Sequence, residues 1–417
     1  MFDAATSMHI NIRGPAMRFI ALSFAALLAF AAPAQAQDVV KLGAFVTLSG
    51  ISADVGGQMK AGIVVAVDRI AQGYSVGGKP MKIQVIWYDD EGKADTGLNA
   101  VTRALTVDKV NVAVGFLSSD VYIRVIDEFQ KASTPVIACC SASLAIGDKI
   151  ARQNMLYAFQ LSPTARDIAT ATIGAVATLV KPAKVAMLNE NTDSGRDFSR
   201  ISREWLAAHA PGTEVVADEF VPRGVTDLTP QFAKFKRLGV GAIVGEVYGS
   251  SAPIEYQQFN ELRVPAVIAH MGTSASADSF VAEHGKDMEG SLVNVRWIPG
   301  DYTPVSKPMV EAYKAKTGFS PSTFAVQAHD SALVALEAVR AGGSLDPAAI
   351  AKALEDTTFV AAWGSRHFTP LAEGHRMPVD TIVTQVQDGK KVVVYPVDIA
   401  AKQGGAYRAV PPYSWQK

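Results

Sequence analysis

The sequence predicts an α/β protein of two similar lobes, each a parallel sheet with helices on both faces. Three observations carry that prediction. Strand-like and helix-like runs alternate along most of the chain. The alternation restarts near residue 165, so the pattern occurs twice. Near the end, two strand-like runs flank Asp388-Gly389, a hairpin signal of the kind that adds antiparallel strands to the edge of a parallel sheet.

The elements follow in order. "VVKLGAFV" (39–46) is a strand rich in branched residues. From Gly56 to Gln72, Met59, Ile63, Val64, Val67, Ile70 and Ala71 mark one helical face. "MKIQVIWYDD" (81–90) is the next strand, then a helix through Leu98, Val101 and Leu105, then the strand "VNVAVGF". A helix after Ser119 carries Val121, Val125, Ile126 and Phe129, and "TPVIACC" is a fourth strand. The second set begins with a helix through Ile168, Ile173, Val176 and Leu179 and the strand "KVAMLNE". A helix from Gly195, the strand "EVVADEF", a helix over Phe232 to Leu238 and the strand "VGAIVGEVY" continue it. A helix from Pro253 to Leu262 and the strand "PAVIAHM" close it. Later, "SALVALEAVRAGG" is a helix ended by Gly342-Gly343, and Asp346 with Pro347 starts another.

The first residues read as an address. From Met17, a basic residue, an apolar run from Phe19 to Ala32 and the ending Ala34-Gln35-Ala36 form a secretory signal peptide (1–36 from Met1), with Met1 or Met17 as the start. The run is short for a membrane span, so no membrane insertion is expected. Cleavage after Ala36 leaves 381 of the 417 residues, enough for two or three domains. Taking two arginines and one aspartate from 39 basic and 40 acidic residues leaves 37 and 39, a net charge of −2. That balance argues against a nucleic-acid partner.

No catalytic signature appears: GxSxG, HExxH and the phosphate loop are all missing, so the chain reads as a non-enzyme. Gly239, Gly241 and Gly245 in "GVGAIVG" read as packing glycines within a strand. The acids of "YDDEG" (88–92) read as a solvated turn, not a metal site. No cofactor is expected. Cys139 and Cys140 are adjacent, with Cα atoms about 3.8 Å apart against the usual disulfide range of roughly 4.4–6.8 Å. That spacing favours two buried thiols; a strained vicinal bridge is the alternative. Hydroxyls gather at strand ends: Ser49, Ser118 and Ser119, Ser141 and Ser143. With the amides of helix starts they form an anion-binding set outside the carboxyl ends of a parallel sheet. Ser119 is expected to cap its helix while Ser118 faces a ligand.

In "VKLGAFVTLSG", "AGIVVAVDRIAQG", "MKIQVIWYDDEGKADTGLNAV", "VAVGFLSSDVYIRVIDEFQKASTPVIACCSAS" and "GFSPSTFAVQAHDSALVALEAV" the chain resembles the periplasmic leucine/isoleucine/valine-binding proteins, the type I solute-binding proteins of ATP-driven (ABC) importers. The likeness covers nearly all of residues 38–395. It implies two Rossmann-like lobes joined by three crossovers near 161–163, 295–298 and 363–367. Lobe 1 is then 38–161 plus 298–362, and lobe 2 is 162–297 plus 363–417. A small carboxylate-bearing solute, an amino acid or an aromatic acid, binds in the cleft of a periplasmic monomer, and an inner-membrane permease receives it. A ligand-sensing receptor module of the same fold is the alternative.

Carried over residue by residue, Ser119 binds the carboxylate, with Leu117 and Ser118 beside it. Cys140, Ser141 and Ala142 or Ser143 follow the fourth strand, Tyr248 closes over the ligand, and His329 matches a late aromatic loosely. Two departures stand out. Val55 replaces an aromatic in the first loop, and "IAHMGTSAS" lacks the acid that pairs with a ligand ammonium. A buried ammonium without an anion costs several kcal/mol. The departures therefore point to a ligand without a simple α-ammonium, walled by Trp87, Tyr122, Met271 and Trp297, unless Glu246 or Asp193 supplies the acid.

Overall fold

The computed structural model describes residues 38–272, 274–298, 303–379 and 381–409; the expected signal peptide lies outside them. Among the described residues, no helix is long and apolar enough to cross a membrane.

The first sheet contains β1 (Val39–Val46), β2 (Lys82–Asp89), β3 (Val112–Gly115), β4 (Val136–Ala138) and β5 (Ala158–Gln160). All five are parallel, in the spatial order β2-β1-β3-β4-β5. The second contains β6 (Lys184–Glu190), β7 (Glu214–Val221), β8 (Ala242–Glu246), β9 (Val267–His270) and β10 (Leu292–Val295). These five repeat the same order, β7-β6-β8-β9-β10. The expected hairpin, β11 (Ile382–Gln387) and β12 (Lys390–Tyr395), extends this sheet antiparallel beyond β10. Asp388 and Gly389 both take positive φ, as a two-residue turn matching strand twist requires.

Alternating residues send each sheet's side chains to opposite faces, and both faces are buried. Val40, Leu42, Ala44 and Val46 of β1 join one core, while Phe45 stacks on Tyr88 and Phe116 in the other. In β6, Ala186 and Leu188 face one core of the second sheet, and Val185 and Met187 the other. Helices cover these faces: α1 (Ala53–Ile70), α2 (Ala94–Arg103), α3 (Ser119–Lys131) and α4 (Leu144–Arg152) on the first. The second carries α5 (Ala165–Ala175), α6 (Asp193–His209), α7 (Thr229–Leu238), α8 (Ser251–Glu261) and α9 (Asp278–His284). After β10 come α10 (Ser306–Thr317), α11 (Thr323–Gly342), which lies against α1, and α12 (Pro347–Asp356). Asp346 caps α12, its carboxylate accepting from the Ala349 amide at 3.1 Å.

One local reading changes. Gly239 is the left-handed residue that ends α7, not a strand glycine. Gly245 does pack: a Cβ there would lie 1.8 Å from the Leu188 carbonyl oxygen of β6.

Candidate functional site

A strand order of 2-1-3 places the point where the sheet reverses between its first and third strands, and ligands of α/β folds gather outside that point. Both sheets have one, between β1 and β3 and between β6 and β8. A single narrow cavity of about 20 Å3 joins them, room for little more than a water. Thr47 and Ser52 follow β1, and Leu117, Ser118 and Ser119 follow β3. Ser194 follows β6 and Tyr248 follows β8. Gly92, Cys140, Ala142, Arg223, Arg296 and Phe324 complete the lining.

The first sheet's rim is built from hydrogen-bonded hydroxyls. Phe116 ends β3 in a left-handed conformation, φ 63°, which a bulky residue adopts only where the surroundings enforce it. That turn sends Leu117, Ser118 and Ser119 toward the cavity. Neither serine caps α3: Ser118 occupies the N-cap without a side-chain cap bond. Instead Ser119 Oγ accepts from the amides of Ala142 (3.2 Å) and Ser143 (3.1 Å). Ser141 Oγ returns the link by donating to the Phe116 carbonyl at 2.9 Å. The loops after β3 and β4 are therefore laced to each other.

The acids of "YDDEG" serve the same purpose. Asp90 is fully buried rather than solvated, accepting from Thr47 Oγ1 (2.6 Å) and the Gly92 amide (2.9 Å). Asp89 accepts from the amides of Leu48 and Glu91. Both cysteines are free and buried, and burial pushes the Cys140 thiol up, so it meets the cavity as an apolar wall.

The second sheet's rim is ionisable. Glu190 ends β6 with no exposure, and burial pushes its carboxyl up to about 7, against the pull of the Tyr248 amide (2.9 Å) and Arg223. Arg223 comes from the loop after β7 and crosses to the first rim. Its Nη2 donates to Ser118 Oγ at 3.1 Å and its Nη1 to the Gly92 carbonyl at 3.3 Å. Its guanidinium also lies 3.5 Å from both Asp120 and Glu190. Behind this rim, burial raises Glu255 to about 8 and lowers His270 to about 4. His270 Nδ1 accepts from the Gly272 amide (3.0 Å), which leaves the proton on Nε2, facing the Val247 carbonyl at 3.2 Å. The buried Glu246 and Glu255 stand beside the segment in which the sequence lacks an acid.

The rims touch elsewhere. The Ser250 amide donates to the Ile51 carbonyl at 3.1 Å, and Ser274 Oγ donates to Asp54. Asp197 of α6 accepts from Ser143 Oγ (3.2 Å) and the Leu144 amide (3.1 Å) at the start of α4. Gly249, φ 52°, allows the closest approach, since a Cβ there would sit 1.8 Å from the Ile51 carbonyl oxygen.

Of the residues singled out from sequence, Leu117, Ser118, Ser119, Cys140 and Tyr248 line the cavity. Ser141 and Ser143 do not; they fasten loops, Ser143 capping α4. Met271 is buried in the core of the second sheet. His329 is buried inside α11 against Asp330 (2.7 Å), whose carboxylate holds the amides of Ala362 and Trp363. Trp87, Tyr122 and Trp297 do not line the cavity, and the Tyr122 hydroxyl reaches the Phe159 carbonyl in the interior. Sequence reasoning missed Arg223 and Arg296. A lone cation in the apolar run "LVNVRWIP" was the available signal for the second.

A family model described as periplasmic binding protein matches residues 39–391. The Leu/Ile/Val-binding protein homolog 7 of Brucella suis biovar 1 (strain 1330) is 26% identical over 401 residues, 92% of this chain and 97% of its own. Among solved structures, the branched-chain amino acid transporter substrate-binding protein LivJ of Streptococcus pneumoniae, in complex with isoleucine, superposes with a TM-score of 0.76 at 22% identity. It covers 86% of this chain and 100% of its own. A solute-binding protein of an ABC transporter from Rhodopseudomonas palustris BisB5, in complex with 3,4-dihydroxybenzoic acid, gives 0.74 at 22% identity, over 85% of this chain and 95% of its own.

Proposed function

The chain belongs to the periplasmic binding protein family, and on that premise we propose that it captures a small carboxylate without an ammonium group, such as an aromatic acid, for an ABC importer. The observation that carries this reading is the cavity lining, which among the described residues holds two guanidinium groups, hydroxyls from both sheets and no carboxylate. Glu190 and Glu246 lie beneath that lining, and Glu190 with Asp120 already shares Arg223. An α-amino acid would bring its ammonium to a surface whose charged groups are cations, and desolvating it unpaired costs several kcal/mol. Both classes of solute, isoleucine and 3,4-dihydroxybenzoic acid, occur among the similar structures.

In this reading the protein is exported to the periplasm and works as a monomer. Lobe 1 is 38–161 plus 298–362, and lobe 2 is 162–297 plus 363–417. The cavity is too small for a benzoate-sized ring, so loading requires the rims to part and Arg223 to move; their return around the solute is the hinge motion that presents it to a permease. The ligand-binding set is Leu117, Ser118, Ser119, Cys140 and Tyr248 with the two arginines. A thermal-shift comparison tests the ligand class: benzoate and hydroxybenzoates should raise Tm more than leucine or isoleucine. A larger shift with leucine overturns the reading.

A further inference from the structure

We propose that Arg296 is the carboxylate receptor of this cavity, the residue that reads whether a solute carries an acid. This deepens the functional reading and rests on it. Arg296 follows β10 directly, and its backbone is held at both ends: the amide donates to Thr323 Oγ1 at 3.1 Å, and the carbonyl accepts from the Trp363 indole. The side chain is only 4% exposed, yet it lines the cavity.

Its surroundings are neutral. Nη1 donates to Gln327 Oε1 at 3.2 Å. Gln327 is itself oriented by donating Nε2 to the Cys139 carbonyl (2.8 Å) and to Ser162 Oγ (3.3 Å). The guanidinium lies over the Phe324 ring, 5.1 Å from its centroid. Among the described residues its buried Nε has no hydrogen-bond partner and no carboxylate pairs with it. Arg223 differs in being partly exposed and shared by two acids.

A guanidinium removed from water without an anion is costly unless an anion arrives. Its fork is fixed in place, matches a carboxylate, and is bordered by Leu117, Cys140, Ala142 and Phe324, whose low polarity strengthens the pairing. A ring carrying the acid would then rest on this apolar border.

Titration calorimetry on the full chain decides the role with two probe pairs, benzoate with benzamide and leucine with leucinamide. Removing one partner of a buried charge pair costs roughly 2–5 kcal/mol, so the wild type should prefer benzoate to benzamide by about 30-fold or more. Arg296→Gln should reduce that preference to within about 3-fold, while Arg223→Gln weakens both probes alike and keeps it. Arg296→Lys, which retains the buried charge and suits a chain that will not fold with glutamine, should lower the preference through loss of the fork. An Arg296 variant that keeps the full preference, or that weakens acid and amide equally, overturns the proposal. If the wild type takes leucine instead, the functional reading fails, and the leucine–leucinamide ratio decides the role of Arg296 by the same criterion.

Discussion

The two rims of the cleft share a topology and differ in chemistry. Each comes from a parallel sheet of order 2-1-3-4-5, and each offers the loops after its first and third strands. On the first sheet these loops are held by neutral lacing, Ser119 accepting two amides and Ser141 donating to Phe116. On the second they end in buried acids, Glu190 and Glu246, with Arg223 reaching across. One rim is a set shape and the other a set of shared charges. Under the proposed function, such a division suits a clamp whose fixed jaw positions a solute while the charged jaw closes on it.

Gly249 is where that comparison breaks most visibly. Gly249→Ala puts a methyl group 1.8 Å from the Ile51 carbonyl oxygen in a left-handed backbone, so the jaws should no longer meet. Small-angle scattering should then show a wider particle than the wild type with ligand, and binding should fall by more than about tenfold. A variant that compacts like the wild type would remove Gly249 from the closure.

Ser119→Ala attacks the fixed jaw. It strands two buried amides, so stability should drop by about 1–3 kcal/mol in a denaturant melt, with ligand affinity falling alongside. Unchanged stability would mean the lacing holds nothing.

The charged jaw is tested by pH. A carboxyl whose folded pKa lies above its free value is stabilised in its protonated form, so its contribution fades as pH rises through the folded value. For Glu255 that value is about 8 and for Glu190 about 7. His270, lowered to about 4, acts oppositely, and its contribution is complete above about 6.5. Between about pH 6.5 and 8 the acids act alone and Tm should fall. Glu255→Gln should flatten that slope; an equally steep slope in the variant would assign it elsewhere.

The smallest effect belongs to Ser118→Ala, which removes one acceptor of a partly exposed guanidinium and should cost no more than about 1 kcal/mol. A loss as large as that at Ser119 would erase the distinction between the jaws.

The fold was largely legible because periodicity reports burial directly. In "VVKLGAFV" Val40, Leu42 and Val46 face one core and Phe45 the other, and Asp388-Gly389 turns where such a dipeptide turns. The first rim was half legible: a serine pair after an apolar strand is visible, but its partners, Ala142 and Ser143, are amides of another loop and carry no side-chain signature. The second rim was the harder one. Arg223 lies in an irregular loop, and what gives it meaning is Ser118, 105 residues away. Glu190 and Glu246 each close an apolar run, "KVAMLNE" and "AIVGE", and a charge in that place signals a strand end at a cleft. His329 misled because a histidine within an apolar helix satisfies itself as readily with a neighbouring acid, here Asp330, as with a ligand.

A crystal structure of the full chain grown with benzoate tests the central claim most directly. The account predicts the carboxylate within hydrogen-bonding distance of the cavity between the two rims, against its guanidinium and hydroxyl groups, with the ring toward Leu117 and Phe324. Benzoate seated outside that cavity, or a cavity that takes up leucine in preference with its ammonium on Glu190, would contradict it.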